Sequence, residues 1–271
     1  MKIQKISKEN AIFQQILSIK DNRTKRHSLK KFFVEGVQNI KDAIDNDWQI
    51  TDLIFTDFSS LSSWAKNIIK NNTANNYEIS LDLMKKLSDK SDTSEILAIF
   101  SMKEQTNIAH YDTSAPIILL LDRPSKKGNL GNIIRSADAM HVDQILFTGH
   151  SVDIYDHEVI SASMGSFFKV PFRHIDTNEE FDDYVSDLRS KYKNMLIVAS
   201  SLQSDRSIIE EDFTRPVLLM MGNERSGLGR HFYEKADSIL KIKMRENIDS
   251  LNLACATSIF LYEINRQRKL V

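Results

Sequence analysis

Cysteine occurs once in these 271 residues, as Cys255. Neither an intrachain disulfide nor a thiolate zinc cluster can be built from it, which agrees with a reducing compartment. Long apolar runs are also missing. The longest, Ala115–Leu121, is far short of the roughly 20 residues a spanning helix needs, so no membrane association is expected. The opening stretch MKIQKISKENAIFQQ interleaves charges with isolated apolar side chains and contains no continuous signal-peptide core; a cytoplasmic protein is the expectation. Eight glycines and four prolines exclude collagen, and 41% hydrophobic with 27% charged residues exclude a disordered chain. The seven histidines show no H-E-x-x-H spacing, and no metal is expected. No G-x-G-x-x-G follows a strand, and no G-x-S-x-G elbow is present. Gly222 to Gly227 imitates the outer spacing of a phosphate loop, but Leu228 stands where the lysine is required. There is no internal repeat and no low-complexity segment.

What the chain does have is a local charge asymmetry that its net charge of −1 conceals. Lys20, Arg23, Lys25, Arg26, Lys30 and Lys31 fall within a dozen residues, with His27 among them and only Asp21 opposing. Such a stripe suits a phosphate backbone, and equally a solvated helix-and-turn surface.

Hydrophobic patterning divides the chain in two. In the first hundred residues, Lys31–Glu35, Thr51–Thr56, Tyr77–Ser80 and Ile96–Ser101 read as strands on β-branched and aromatic enrichment. Val37–Ile44, Leu61–Ile69 and Leu81–Leu87 carry apolar residues at three- and four-residue spacing and read as helices. This predicts a small α/β domain over 1–105 and a polar linker over 106–115. In 116–271 the strands are longer and apolar on both faces: Ile117–Leu121, Gln144–Thr148, Met195–Ala199, Val217–Met221 and Ile239–Ile242. Buried parallel strands flanked by helices are expected. A last helix over about Ser250–Arg266 has almost no polar face before Glu263, so it must be covered by its own fold or by a second subunit.

Open parallel sheets bind ligands at the C-terminal edge of their strands, and three loops there are glycine- or asparagine-marked. The first is DRPSKKGNLGNIIRSADAMH, residues 122–141, with Asn129 as its expected helix N-cap. At about 100° per residue, Ile133, Ile134, Ala137 and Met140 share one face and Arg135 projects from the opposite side, free to grip a phosphate or carboxylate. The second is GNERSGLGR, residues 222–230, where Gly222 and Gly227 allow close backbone approach or positive φ around Glu224, a candidate acid, base or hydrogen-bond acceptor. The third is KMRENIDSLNLACA, residues 243–256, with Ser250 as expected cap and Asn252 in the first helical turn. A surface arginine, a plain turn and a simple cap explain each loop alone; they do not explain the three together.

In that order and spacing, GNLGNIIRSADA, MGNERSGLG and IKMRENIDSLNLACATSIFLYE resemble the three motifs of the SpoU (TrmH) family of RNA 2′-O-ribose methyltransferases, in the SPOUT superfamily. The resemblance covers roughly 116–268, with SMGSFFKVP at 163–171 similar to the family's small-residue segment. The first half, with VEGVQNIKDAI at 34–44, resembles the family's α/β RNA-binding extension. Ribosomal-RNA modification is the nearest type, including enzymes of thiostrepton resistance.

The resemblance implies a deep trefoil knot, an exception to the rule that chains avoid knots, and a homodimer through the C-terminal domain. It implies S-adenosylmethionine as cofactor, held by Gly222, Ile242 and Leu251 with Met244 and Ser200 as neighbours. Asn129, Arg135, Glu224, Ser250 and Asn252 match the polar set for catalysis and substrate positioning, and the basic stripe becomes a candidate RNA-binding surface. The chain departs from the family pattern at Asn132, His141, Lys243 and Glu246, and in the loop before Asn129. Alternative readings are a transfer-RNA ribose methyltransferase, a non-catalytic RNA-binding relative and a small-molecule methyltransferase.

Overall fold

A computed structural model describes residues 2–103, 111, 113–245 and 250–270. Glu246 and most of the expected 106–115 linker lie outside the described residues. The chain opens with β1 (Ile3–Ile6), α1 (Ala11–Asp21), α2 (Arg23–Leu29), β2 (Lys31–Glu35), α3 (Val37–Asp45), β3 (Ile50–Phe55), α4 (Ser63–Asn71), β4 (Asn75–Ile79), α5 (Leu81–Leu87) and β5 (Ile96–Ser101). It continues through β6 (Ile117–Asp122), α6 (Lys127–Ala139), β7 (Gln144–Thr148), α7 (His157–Ala162), β8 (Phe172–Ile175), α8 (Asn178–Lys191), β9 (Leu196–Ser200), β10 (Val217–Met221), α9 (Arg230–Lys235), β11 (Ser238–Leu240) and α10 (Leu253–Gln267). Two compact units result, 1–104 with 153–169 and 105–152 with 170–271.

The first unit is a five-stranded sheet ordered β1-β4-β3-β5-β2, in which β5 runs antiparallel to both neighbours. Asn10 caps α1 by accepting from the Phe13 N–H at 3.0 Å, and Phe13, Ile16 and Ile19 then recur at helical spacing and bury against Phe33, Ile54, Leu97 and Ile99. Residues 153–169, expected in the second domain, cluster with this unit instead. Their aromatic side chains give the reason: Tyr155, Phe167 and Phe168 pack on Phe32, and Trp48 packs tilted against Phe167 and donates its indole N–H to the Phe168 carbonyl at 3.0 Å.

Helix α2 corrects the basic stripe. Its one buried residue is Arg26, whose Nε donates to Asp153 at 2.8 Å and whose Nη2 donates to Asp156 at 3.2 Å, while Nη1 caps the Ile19 and Lys20 carbonyls. A guanidinium so enclosed is not available to a phosphate. Lys20 is buried as well, paired with Asp89 at 2.6 Å, and Lys31 is half-buried and paired with Asp52 at 2.9 Å. Arg23, Lys25 and Lys30 stay exposed.

The second unit is a wholly parallel six-stranded sheet ordered β11-β9-β10-β6-β7-β8. β10, β6 and β7 are buried along their whole length, as expected of central strands apolar on both faces. One side of the sheet holds a core of Ile118, Leu146, Phe181, Leu188, Leu218 and Phe232. Tyr111, within the expected linker, packs onto this core and donates its hydroxyl to Gln144 at 2.6 Å. α10 packs on α6, with Ser136 and Ser258 sharing a hydrogen bond of 2.8 Å across them. Of its apolar residues, Cys255, Ile259 and Tyr262 remain exposed.

Candidate active site

The site forms where β6, β9, β10 and β11 end. β6 ends in Asp122, and α6 begins five residues later, after Lys126 as N-cap with no side-chain cap hydrogen bond. The expected cap, Asn129, is therefore inside the first helical turn, where its side chain is released for other work. Its Nδ2 donates to Glu224 Oε1 at 2.8 Å, and its Oδ1 accepts from Asn252 Nδ2 at 3.0 Å. The third loop shows the same displacement: Asn252, not Ser250, caps α10, accepting from the Ala254 and Cys255 N–H groups at 2.9 and 3.4 Å. One side chain thus starts the final helix and ties it to the first motif.

After β10 the chain turns sharply. Asn223 and Gly227 exchange backbone hydrogen bonds at 3.0 and 2.9 Å, and Asn223 Oδ1 accepts from the Arg225 and Ser226 N–H groups. Gly227 takes φ +67, and a Cβ on Gly222 would stand 2.1 Å from the Leu228 nitrogen, so both glycines are dictated by the turn. Glu224 rides on its tip. Ser125 Oγ donates to its second carboxylate oxygen at 2.9 Å. Burial alone would raise the Glu224 pKa, but the hydrogen bonds from Asn129, its own backbone and Ser125, with the nearby charge of Lys126, outweigh burial and hold it below the ordinary value.

Beside this turn lies a pocket of about 830 Å³, within the size range of small-molecule and cofactor sites. Ser200, Gly222, Ile242, Met244 and Leu251, the five residues expected to hold a cofactor, all line it, as do Glu224 and Ser250. Met221, Leu240, Leu253 and Phe260 supply apolar wall, while 200–205 adds hydroxyl and backbone groups. The edge strand fixes that last segment: Ser201 N–H donates to the Leu240 carbonyl at 2.9 Å, and Ile208 N–H to that of Lys241 at 3.0 Å.

Three of the five expected polar residues, Asn129, Glu224 and Asn252, are joined by hydrogen bonds; Ser250 lies at the pocket. Arg135 is exposed on α6 and joins no hydrogen bond or ion pair among the described residues. It is about 120° around the helix from Asn129. Ser125, Arg123 and Asn223 also belong to the site, and of these only Asn223, four residues before a glycine in a turn pattern, carries a signal in the sequence. Of the departures from the family pattern, His141 adopts φ +56 just past α6, the backbone conformation that glycine takes most easily, and Lys243 is exposed and pairs with Glu210 at 3.4 Å.

A parallel α/β domain with a pocket at its C-terminal strand edge and an Asn–Glu–Asn cluster at the mouth defines a ligand-binding class distinct from the Rossmann type, since no glycine fingerprint follows its first strand. The chain belongs to the SpoU rRNA Methylase family, whose profile matches residues 116–262, and the SpoU L30e-like domain profile matches residues 10–98. It is 32% identical over 266 residues to the 23S rRNA (uridine(2479)-2′-O)-methyltransferase of Streptomyces viridochromogenes, covering 97% of this chain and 92% of that one. It is 24% identical over 258 residues to the 23S rRNA (guanosine(2553)-2′-O)-methyltransferase RlmP of Bacillus subtilis, covering 94% and 98%. Among solved structures, the SpoU methyltransferase AviRb from Streptomyces viridochromogenes, in complex with the cofactor AdoMet, matches with a TM-score of 0.90 at 32% identity, covering 96% of this chain and 99% of that one. The AdoMet-bound rRNA methyltransferase from Sinorhizobium meliloti matches at 0.85 and 26% identity, covering 97% and 98%.

Proposed function

We propose that this protein is an S-adenosylmethionine-dependent RNA methyltransferase that transfers a methyl group to a ribose 2′-hydroxyl of ribosomal RNA. The observation that carries this reading is the hydrogen-bonded Asn129–Glu224–Asn252 cluster at a pocket lined by all five expected cofactor residues. The donor set suits the cofactor: Phe260, Leu240 and Met221 offer apolar surface for an adenine ring, and the 200–205 and 222–227 segments offer hydroxyl and backbone groups for its polar parts. Ser200, Gly222, Ile242, Met244 and Leu251 would hold it. When bound, it supplies an electrophilic methyl group on a sulfonium sulfur.

The chain's own residues bring the acceptor to that methyl. A carboxyl held below its ordinary pKa is a weak base, so Glu224 serves best as a fixed hydrogen-bond acceptor that orients the 2′-hydroxyl. Asn129 and Ser125 keep it in place, and Asn252 fixes Asn129. Alignment of this kind supplies much of the rate in a displacement between two held partners. Arg135, whose guanidinium has a pKa above about 12, is no base. Its role here is to grip an RNA phosphate from the exposed face of α6, while the proton passes to water or phosphate.

RNA binding belongs to the first unit, with exposed Arg23, Lys25 and Lys30 contributing. The active form is a homodimer joined through the second unit; Cys255, Ile259 and Tyr262, at i, i+4 and i+7 of α10, give it an uncovered stripe. A deep trefoil knot is part of the same reading. Its support is the route of the chain, which leaves β11 at the sheet edge beside β9 and returns to pack α10 on α6. The cytoplasm is the place of action. Tritiated S-adenosylmethionine, offered with RNA from cells lacking this gene, tests the reading: label enters large-subunit ribosomal RNA and not transfer RNA. Label confined to transfer RNA would contradict the choice of substrate, and binding without transfer to any RNA would leave a non-catalytic relative.

A further inference from the structure

Behind the Glu224 turn lies a polar construction that the reaction as described does not use. Asp122, the last residue of β6, is buried, at 3% exposure, yet carries a carboxylate that accepts four hydrogen bonds from three residues. Its Oδ1 accepts from Thr148 Oγ1 at 2.9 Å and Arg123 Nε at 3.0 Å; its Oδ2 accepts from Arg123 Nη2 at 2.8 Å and the Gly229 N–H at 2.9 Å. Arg123 reaches back to its own neighbour in a bidentate pair, and its Nη2 also donates to the Gly227 carbonyl at 3.3 Å. Its backbone joins in: the N–H donates to the Thr148 carbonyl at 3.1 Å, and the carbonyl accepts from Asn223 Nδ2 at 2.6 Å. Three separate bonds therefore tie residues 122 and 123 to Asn223, Gly227 and Gly229, the two ends of the turn that carries Glu224.

Two features mark this as an imposed arrangement. Arg123 takes φ +52, a left-handed conformation uncommon outside glycine. Its stem lies over Gly149, where a Cβ would come within 2.6 Å of Arg123 Cγ, so the neighbouring strand end is kept bare to admit it. The Nε and Nη2 edge of the fork is committed to Asp122 and Gly227.

We propose that Arg123 is a positioning residue for methyl transfer: clamped between Asp122 and Gly227, it sets the 223–229 turn so that Glu224 meets Asn129 and Ser125. This rests on the proposed reaction and adds to it a residue that does not itself line the pocket but holds Asn223 and Gly227, which do. Releasing the clamp loosens residues 223–229, part of the pocket wall, while Gly222 stays held at the end of β10 and the walls from β9, β11 and α10 stay as they are. The loss therefore falls on the chemical step more than on binding, and misplacement by about 1 Å costs on the order of a hundredfold in rate.

The experiment uses the full chain, S-adenosylmethionine and large-subunit ribosomal RNA. Arg123→Gly keeps the left-handed backbone without strain and removes the fork, whereas Arg123→Lys keeps the charge and most of the volume. Expected for Arg123→Gly is a cofactor Kd within about threefold of wild type by calorimetry, and a kcat lower by roughly tenfold to a hundredfold. The acid limb of the kcat profile should move upward as Glu224 loses Asn129 and Ser125, with Arg123→Lys intermediate. A wild-type kcat, a loss confined to cofactor Kd, or an unmoved acid limb would overturn the proposal. Amide hydrogen exchange reads the clamp without the reaction: Gly227 and Gly229 should exchange faster in both variants, and unchanged protection also overturns it. A wild-type protein that methylates no RNA counts against the proposed reaction, and the exchange measurement then decides the clamp alone.

Discussion

Arg26→Ala should unfold the first unit's stability rather than weaken its grip on RNA. The side chains of Arg26, Asp153 and Asp156 are 2%, 5% and 9% exposed, and the guanidinium serves both carboxylates and two carbonyls. Removing it takes the guanidinium away from two buried carboxylates, and breaking a buried pair from one side costs about 3–5 kcal/mol. At 1.4 kcal/mol per decade that is roughly a hundred- to a few-thousandfold in the folding constant. With a urea slope of about 2 kcal/mol per molar, the midpoint should fall by about 1.5–2.5 M. The chain has two tryptophans, Trp48 and Trp64, and both belong to the first unit, so indole emission reports its unfolding without interference from the second. Lys25→Ala, at an exposed position of the same helix, should shift stability by no more than about 0.5 kcal/mol while lowering RNA affinity. Adding Asp153→Asn and Asp156→Asn to Arg26→Ala should recover part of the loss, because the penalty comes from buried negative charge no longer facing the guanidinium. A midpoint for Arg26→Ala equal to wild type, with RNA binding weakened as in Lys25→Ala, would refute the reasoning.

Glu224→Gln should leave cofactor binding nearly intact and lower methyl transfer by about a hundredfold or more in single-turnover assays. Because Glu224 titrates below the ordinary value near 4.3, the wild-type rate should hold as pH falls through that value and decline only below it. Its contribution to stability has the same sign, present above the unfolded-state pKa and lost as pH falls through the folded-state one. Gly222→Ala places a methyl 2.1 Å from the Leu228 nitrogen and 2.3 Å from the Gly227 carbonyl carbon, backbone atoms that cannot swing aside; calorimetry should detect little or no S-adenosylmethionine uptake. Ile259→Asp, on the exposed stripe of α10, should turn a dimer into a monomer by sedimentation.

Much of this architecture was legible because its central strands are apolar throughout. Ile117–Leu121, Gln144–Thr148 and Val217–Met221 declare themselves as buried parallel strands. What escaped lacks such a signature. α2 buries a single side chain, an arginine, so no hydrophobic period marks it. β8 reads Phe-Arg-His-Ile and lies on a sheet edge, half exposed. The caps of α6 and α10 were misassigned by a few residues because several polar residues compete at each start, and only the folded loop decides which one faces the free N–H groups. Residues 153–169 carry their aromatic partners far away in sequence, in β2 and at Trp48, and local pattern cannot reveal that. In the site, Asn129, Glu224 and Asn252 stand out singly in their loops, but only resemblance to a family groups them as one polar set. Their separations of 95 and 123 residues leave no physical signal of contact, and Ser125 stayed hidden for the same reason.

The chemistry of the product offers the sharpest test of the whole account. A methyl on the ribose 2′-oxygen blocks attack on the adjacent phosphodiester, so alkaline digestion of RNA labelled by this protein from tritiated S-adenosylmethionine should yield the label in an alkali-resistant dinucleotide. Label released as mononucleotide would place the methyl on a base, and the proposed alignment of a sugar hydroxyl at Glu224 would be contradicted.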